Sequence, residues 1–108
     1  MAQKGVLRAV DLSQARDGRR VRVAGMVITR QRPGTAKGFV FLTLEDETGV
    51  SNVIVRPDLF DRERGALVEE SFLLIEGVLQ QQDGVCSVRA ERVQRLDGSA
   101  AVEAHNFY

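Results

Sequence analysis

Arg30, Arg32 and Lys37 bracket a Pro33-Gly34 corner, and Phe39 and Phe41 follow it. Guanidinium and ammonium groups can neutralise phosphates. Aromatic faces can stack on any base, since every base has a π-face. Together these are the means to hold a nucleic-acid strand rather than to transform one. Other chemistries fit less well. "GTAKG" carries the Gly and Lys of a phosphate loop, but the GxxxxGK[ST] spacing is missing and no helical pattern follows. Glu45, Asp46 and Glu47 are consecutive, so their side chains alternate in direction, and they read as turn chemistry with Asp46 closing a hairpin. No acid–base pair or activated nucleophile stands out, so no catalytic residue is expected and the chain does not read as an enzyme. Cys86 and His105 are each single and far apart, so neither a metal site nor a cofactor is expected. Cys86 reads as a small buried residue, and His105 receives no role.

The charge balance is informative in its distribution. Fifteen basic residues face fifteen acidic ones, for a net charge of zero. Zero net charge argues against a strong electrostatic nucleic-acid binder. Yet Arg16, Arg19, Arg20, Arg22, Arg30, Arg32 and Lys37 cluster against a single acid, Asp17. Acids gather at 45–47 and 69–70 instead. No run of apolar residues is long enough for a membrane span, and "MAQKGVLRAV" lacks the apolar core of a secretion signal. One cysteine permits no internal disulfide. A cytoplasmic setting with no membrane partner is the expectation.

Short alternating runs separated by turn signals must position these residues. "RRVRVAGMVITRQR" alternates and carries Gly25 in mid-strand, where a bend or bulge is expected. Gly34 can supply the positive φ of a type II corner. "KGFVFLTLE" puts Val40, Leu42 and Leu44 on one face and Phe39, Phe41 and Thr43 on the other. "DETG" reads as a hairpin turn and "VSNVIVR" as a third strand. A short helix is expected over about 58–64, started by Pro57 and ended by Gly65. "SFLLIEGVLQQQ" and "VCSVRAERVQRL" complete the set, joined by Asp83-Gly84, the strongest short hairpin signal.

The order is β-β-β-α-β-β, with one short helix between the third and fourth strands. It matches the all-β five-stranded OB-fold barrel. Gly25 fits where the first strand must serve both sides of a closed barrel. The expected division is a lead-in over 1–18, the barrel over 19–96 and a tail of small residues over 97–108. OB barrels bind oligonucleotides across the second and third strands. Two Phe side chains on the face away from the core suit such a surface, flanked by Arg30, Arg32 and Lys37.

"VRVAGMVITRQRPGTAKGFVFLTLEDETGVSNVIVRPDLF" closely resembles the C-terminal OB domain of bacterial error-prone C-family DNA polymerases. The motif "RQRPGTAKG", followed by "FLTLEDETG" and "NVIVRP", is long and specific. The resemblance extends over residues 6–108, and "AHNFY" is similar to the family's C-terminal ending. It implies translesion synthesis, DNA repair and replication as the setting, with a catalytic polymerase region preceding this domain. The barrel also resembles the anticodon-binding OB domain of class II aminoacyl-tRNA synthetases. That second resemblance implies base stacking at Phe41, a nearby Arg at Arg30, and a base contact at Asn52, which keeps the family's amide on a side chain one carbon shorter.

The reading is a non-catalytic domain that binds single-stranded DNA through Arg30, Arg32, Lys37, Phe39, Phe41 and Asn52, guiding template strand. The alternative is a protein-interaction OB module that docks other polymerase domains or accessory translesion proteins. "RPDLF" also resembles a sliding-clamp-binding pentapeptide, although Leu59 and Phe60 are expected to bury in the helix.

Overall fold

The computed structural model describes residues 6–34 and 37–96. Strands β2 (Arg20–Gln31), β3 (Val40–Asp46), β4 (Gly49–Val55), β5 (Phe72–Gln82) and β6 (Val85–Arg95) form the expected barrel. A two-residue strand β1 (Val6–Leu7) adds to its edge, parallel to β2. The sheet order is β1-β2-β3-β4-β6-β5, and β2 closes the barrel by pairing with β5 as well. The chain forms an OB fold.

Each strand sends alternate residues inward, which is why the period-two pattern was readable. Val21, Val23, Val40, Leu42, Leu44, Val53, Val55, Leu73, Ile75, Leu79 and Val88 make the core. Strand β2 serves two neighbours. Arg20 to Met26 pair with β5, and Met26 to Gln31 pair with β3. Gly25 lies at this handover, where a Cβ would stand 2.6 Å from the carbonyl oxygen of Glu45. Only glycine admits that approach.

The register shift itself falls later, between Val27 and Thr29. It resets which side chains face out over the rest of β2. Gly34 does not take a left-handed φ; those residues near the corner are Lys37 (φ 55°) and Gly38 (φ 89°). Asp83 and Gly84 both have positive φ, as the type I′ hairpin requires.

The expected single helix is two. Helix α2 (Pro57–Arg62) and helix α3 (Arg64–Glu69) join at Glu63, whose φ and ψ are −110° and 24°. Gly65 does not end the helical segment. Leu59, Phe60, Ala66 and Leu67 are all buried. Their apolar face outweighs the cost of one helical glycine, about 1 kcal/mol. A Cβ on Gly65 would also press on the Arg95 guanidinium at 2.9 Å. Leu59 and Phe60 thus serve the core, and "PDLF" is not presented as an extended peptide.

Helix α1 (Ala9–Leu12) is a further element in the lead-in. It adds Leu12 and Ala15 to the core. Asp46 Oδ2 accepts from the Ala9 amide at 2.8 Å, while its Oδ1 accepts from the amide and hydroxyl of Thr48 at 2.7 and 2.6 Å. One carboxylate therefore closes the β3–β4 hairpin and tethers α1. At the other end, the Gln81 side-chain amide donates to the carbonyls of Leu12, Ser13 and Ala15.

Candidate nucleic-acid interface

The outer face of β2, β3, β4 and β6 holds a groove of about 330 Å³. Two cross-strand rows run along it, the second ending in Arg89 just beyond the lining. Thr29, Thr43, Asn52 and Ser87 are successive register partners, and so are Gln31, Phe41, Ile54 and Arg89. The first row is polar, with the hydroxyls of Thr29 and Thr43 hydrogen-bonded at 2.9 Å. The second carries the half-buried Phe41 beside Ile54. Val85, which is 61% exposed, stands at the rim.

Register partners project to the same side of a sheet, whether antiparallel as in β2, β3 and β4 or parallel as between β4 and β6, so the rows follow from the backbone register. Val40, Leu42 and Leu44 fill the barrel interior, as expected. Phe41 and Thr43 must then face the groove.

The residues named from the sequence fall into two groups. Phe41 and Asn52 meet in the groove. Arg30 is the register partner of Leu42, on the other side of β2 from Gln31. Its Nε donates to the Leu67 carbonyl at 2.6 Å and its Nη2 to the Glu70 carbonyl. These carbonyls belong to the last turn of α3 and its cap, where helices leave acceptors unfilled. Arg32 lies over the Phe60 ring, 5.0 Å from its centroid. Both guanidiniums sit at the helix edge of the barrel. Lys37 is exposed, and Phe39 is half-buried just before β3, outside the groove lining. Thr43 was placed on this face but not named as a site residue, and Thr29, Gln31, Ile54, Val85 and Ser87 were not anticipated. Alternation from Phe41 finds Thr43; the others need the register across β2, β4 and β6.

The basic half of β2 is paired off. Arg22 Nε contacts Glu76 Oε2 at 2.8 Å, and Arg92 approaches Glu76 Oε1 at 3.8 Å. Arg20 pairs with Glu91. The Arg22 hydrogen bond holds the Glu76 carboxyl below the usual carboxylate range, with the Arg92 and Arg20 charges helping. Cys86 is half-buried rather than fully buried, and that burial raises its thiol pKa.

An OB barrel with an aromatic and an amide on its outer sheet face defines a class, and the sequence places the chain in it. It belongs to the OB-fold nucleic acid binding domain family, whose profile matches residues 21–96. Among curated proteins it is similar to the error-prone DNA polymerase of Caulobacter vibrioides, at 53% identity over 96 residues, covering 89% of this chain and 9% of that one. It is 42% identical over 95 residues to error-prone DNA polymerase 1 of Rhizobium meliloti, covering 88% of this chain and 8% of that protein. The chain thus spans less than a tenth of these relatives' length. Among solved structures it resembles asparaginyl-tRNA synthetase from Pyrococcus horikoshii, with a TM-score of 0.72 and 25% identity over 90% of this chain and 24% of that one. An OBody bound to hen egg-white lysozyme shares the fold alone, with a TM-score of 0.71 and 17% identity over 90% of this chain and 98% of that one. Among the described residues, no helix is long and apolar enough to cross a membrane.

Proposed function

We propose that this domain is a non-catalytic holder of single-stranded DNA that guides template strand within a cytoplasmic error-prone DNA polymerase, in translesion synthesis and repair. The observation that carries the reading is the groove shared by Phe41 and Asn52. Phe41 supplies a stacking face, worth about 1–3 kcal/mol per base. Asn52 supplies both a donor and an acceptor to a base edge. Lys37 is an exposed cation available to the backbone. Arg32 and Phe39 lie outside the groove lining and would meet a bound strand only beyond it, and Arg30 braces the β2 edge through its bonds to α3. The polymerase likeness favours DNA as the strand.

Titrating a labelled oligo-dT with the 108-residue chain tests this, with Phe41→Ala as the comparison. Saturable binding that Phe41→Ala weakens supports the reading. No binding to wild type, or equal binding by the variant, refutes it.

One observation favours a protein-docking module instead. Met26 and Ile28 are 38% and 43% exposed on β2. In that reading the partner is another polymerase domain or an accessory protein. It predicts that Met26→Gln with Ile28→Gln abolishes co-purification with the rest of the polymerase while oligo-dT affinity is unchanged.

A further inference from the structure

Arg89 ends the Phe41 row, just beyond the groove lining. It is exposed on β6 and is the register partner of Ile54, which is itself the partner of Phe41. Several other arginines of the barrel are occupied. Arg20, Arg22, Arg92 and Arg95 are in ion pairs. Arg30 serves carbonyls at the end of α3, and Arg32 lies on Phe60. Arg89 makes no ion pair and no side-chain hydrogen bond among the described residues. Its β5 partner Val78 offers no charge either.

We propose that Arg89 is a phosphate-binding cation at the edge of this groove, so that a bound strand crosses β3, β4 and β6 with a base on Phe41 and a backbone phosphate on Arg89. The inference rests on the nucleic-acid reading above and adds to it a residue and a path. Adjacent strands lie about 4.8 Å apart, so Phe41 and Arg89 are separated by two such steps, roughly 10 Å. Arg89 can lay its aliphatic stem along Ile54 and keep its guanidinium at the rim. A guanidinium there can meet a phosphate with two parallel N–H donors. The neighbouring row, Thr29 to Ser87, carries hydroxyl and amide groups but no charge, so the cation comes from the Phe41 row.

The test measures oligo-dT binding against salt for wild type, Arg89→Gln, Arg89→Lys and Phe41→Ala. Each phosphate contact to a single strand contributes about 0.7 to the slope of log K against log salt. Arg89→Gln is expected to lower the slope by about 0.7 and weaken binding, and Arg89→Lys to restore the slope. Phe41→Ala is expected to weaken binding with the slope unchanged. An oligonucleotide with abasic sites is expected to lose the Phe41 effect and keep the Arg89 effect. Thermal melts of each variant confirm that comparisons are made between folded molecules. If wild type binds and Arg89→Gln keeps its slope, Arg89 is not the cation and the groove reading survives. If wild type does not bind, both fall together.

Discussion

Arg30 donates from the end of β2 to the carbonyl oxygen of Leu67 in α3, at 2.6 Å. Residue type and sequence position had suggested a phosphate contact for this side chain, and its guanidinium fills helix-end acceptors. Arg30→Gln is therefore expected to lower stability by about 1 kcal/mol, the usual net worth of a hydrogen bond. For a domain of this size that is a fall of roughly 4–8 °C in Tm. A thermal melt checks it. An unchanged Tm would mean that water replaces the guanidinium at no cost.

Lys37 gives the opposite expectation. It is exposed at a left-handed turn, and its ammonium has no partner among the described residues. Lys37→Gln should leave the melt unchanged and reduce the salt slope of oligo-dT binding by about 0.7, one single-strand phosphate contact. If Arg30→Gln flattens the salt dependence and Lys37→Gln does not, the assignment of these two cations is reversed.

The contrast between Arg30 and Lys37 marks where the sequence was readable. Alternation of Val40, Leu42 and Leu44 located the core face, and Asp83-Gly84 located the last hairpin, because both signals are local. The side to which Arg30 points depends on the register shift between Val27 and Thr29, which no local period reveals. Helix α3 was hidden behind Gly65, since the burial of Ala66 and Leu67 against the barrel is a long-range gain. Docking of α1 was equally silent. It depends on Asp46 and Gln81, separated by 37 and 66 positions from Ala9 and Ala15, the partners they hold. Only part of the groove was legible: Phe41 and Thr43 from alternation, Asn52 from resemblance. Its other residues come from strands brought together by closure.

Asp46 offers a direct test of that docking. Asp46→Ala removes the acceptor for Thr48 and for Ala9 together. Losing a side-chain cap of this kind costs about 1 kcal/mol. Beyond the drop in Tm, amide exchange at Ala9 and Val10 should accelerate more than exchange in β5. Uniform acceleration would show that the carboxylate acts on the hairpin alone.

The Glu76 carboxyl titrates below the usual carboxylate range because of Arg22. A carboxylate with a folded pKa below its unfolded value contributes stability above the unfolded value. That contribution fades as pH falls through the folded value. Arg22→Gln should therefore move the Glu76 titration upward, as followed by side-chain carboxyl NMR. It should also remove part of the stability difference between neutral and acid pH. A Glu76 titration that Arg22→Gln leaves in place would assign the shift to Arg92 and Arg20.

Phe41 and Leu42 are neighbours in sequence with opposite surroundings, and they give the sharpest comparison. Leu42 is 2% exposed and central to the core. Leu42→Ala leaves a cavity and should cost about 2–5 kcal/mol of stability. Phe41 faces the groove between Gln31 and Ile54. Phe41→Ala leaves the interior filled by Val40, Leu42 and Leu44, so its melt should shift far less. Its effect should fall on binding, with about 1–3 kcal/mol of oligonucleotide affinity lost with the stacked base. Measured per folded molecule, Leu42→Ala should bind nearly as wild type does. If instead Phe41→Ala unfolds the barrel while folded molecules bind unchanged, Phe41 belongs to the packing, and base stacking must be sought elsewhere on the sheet.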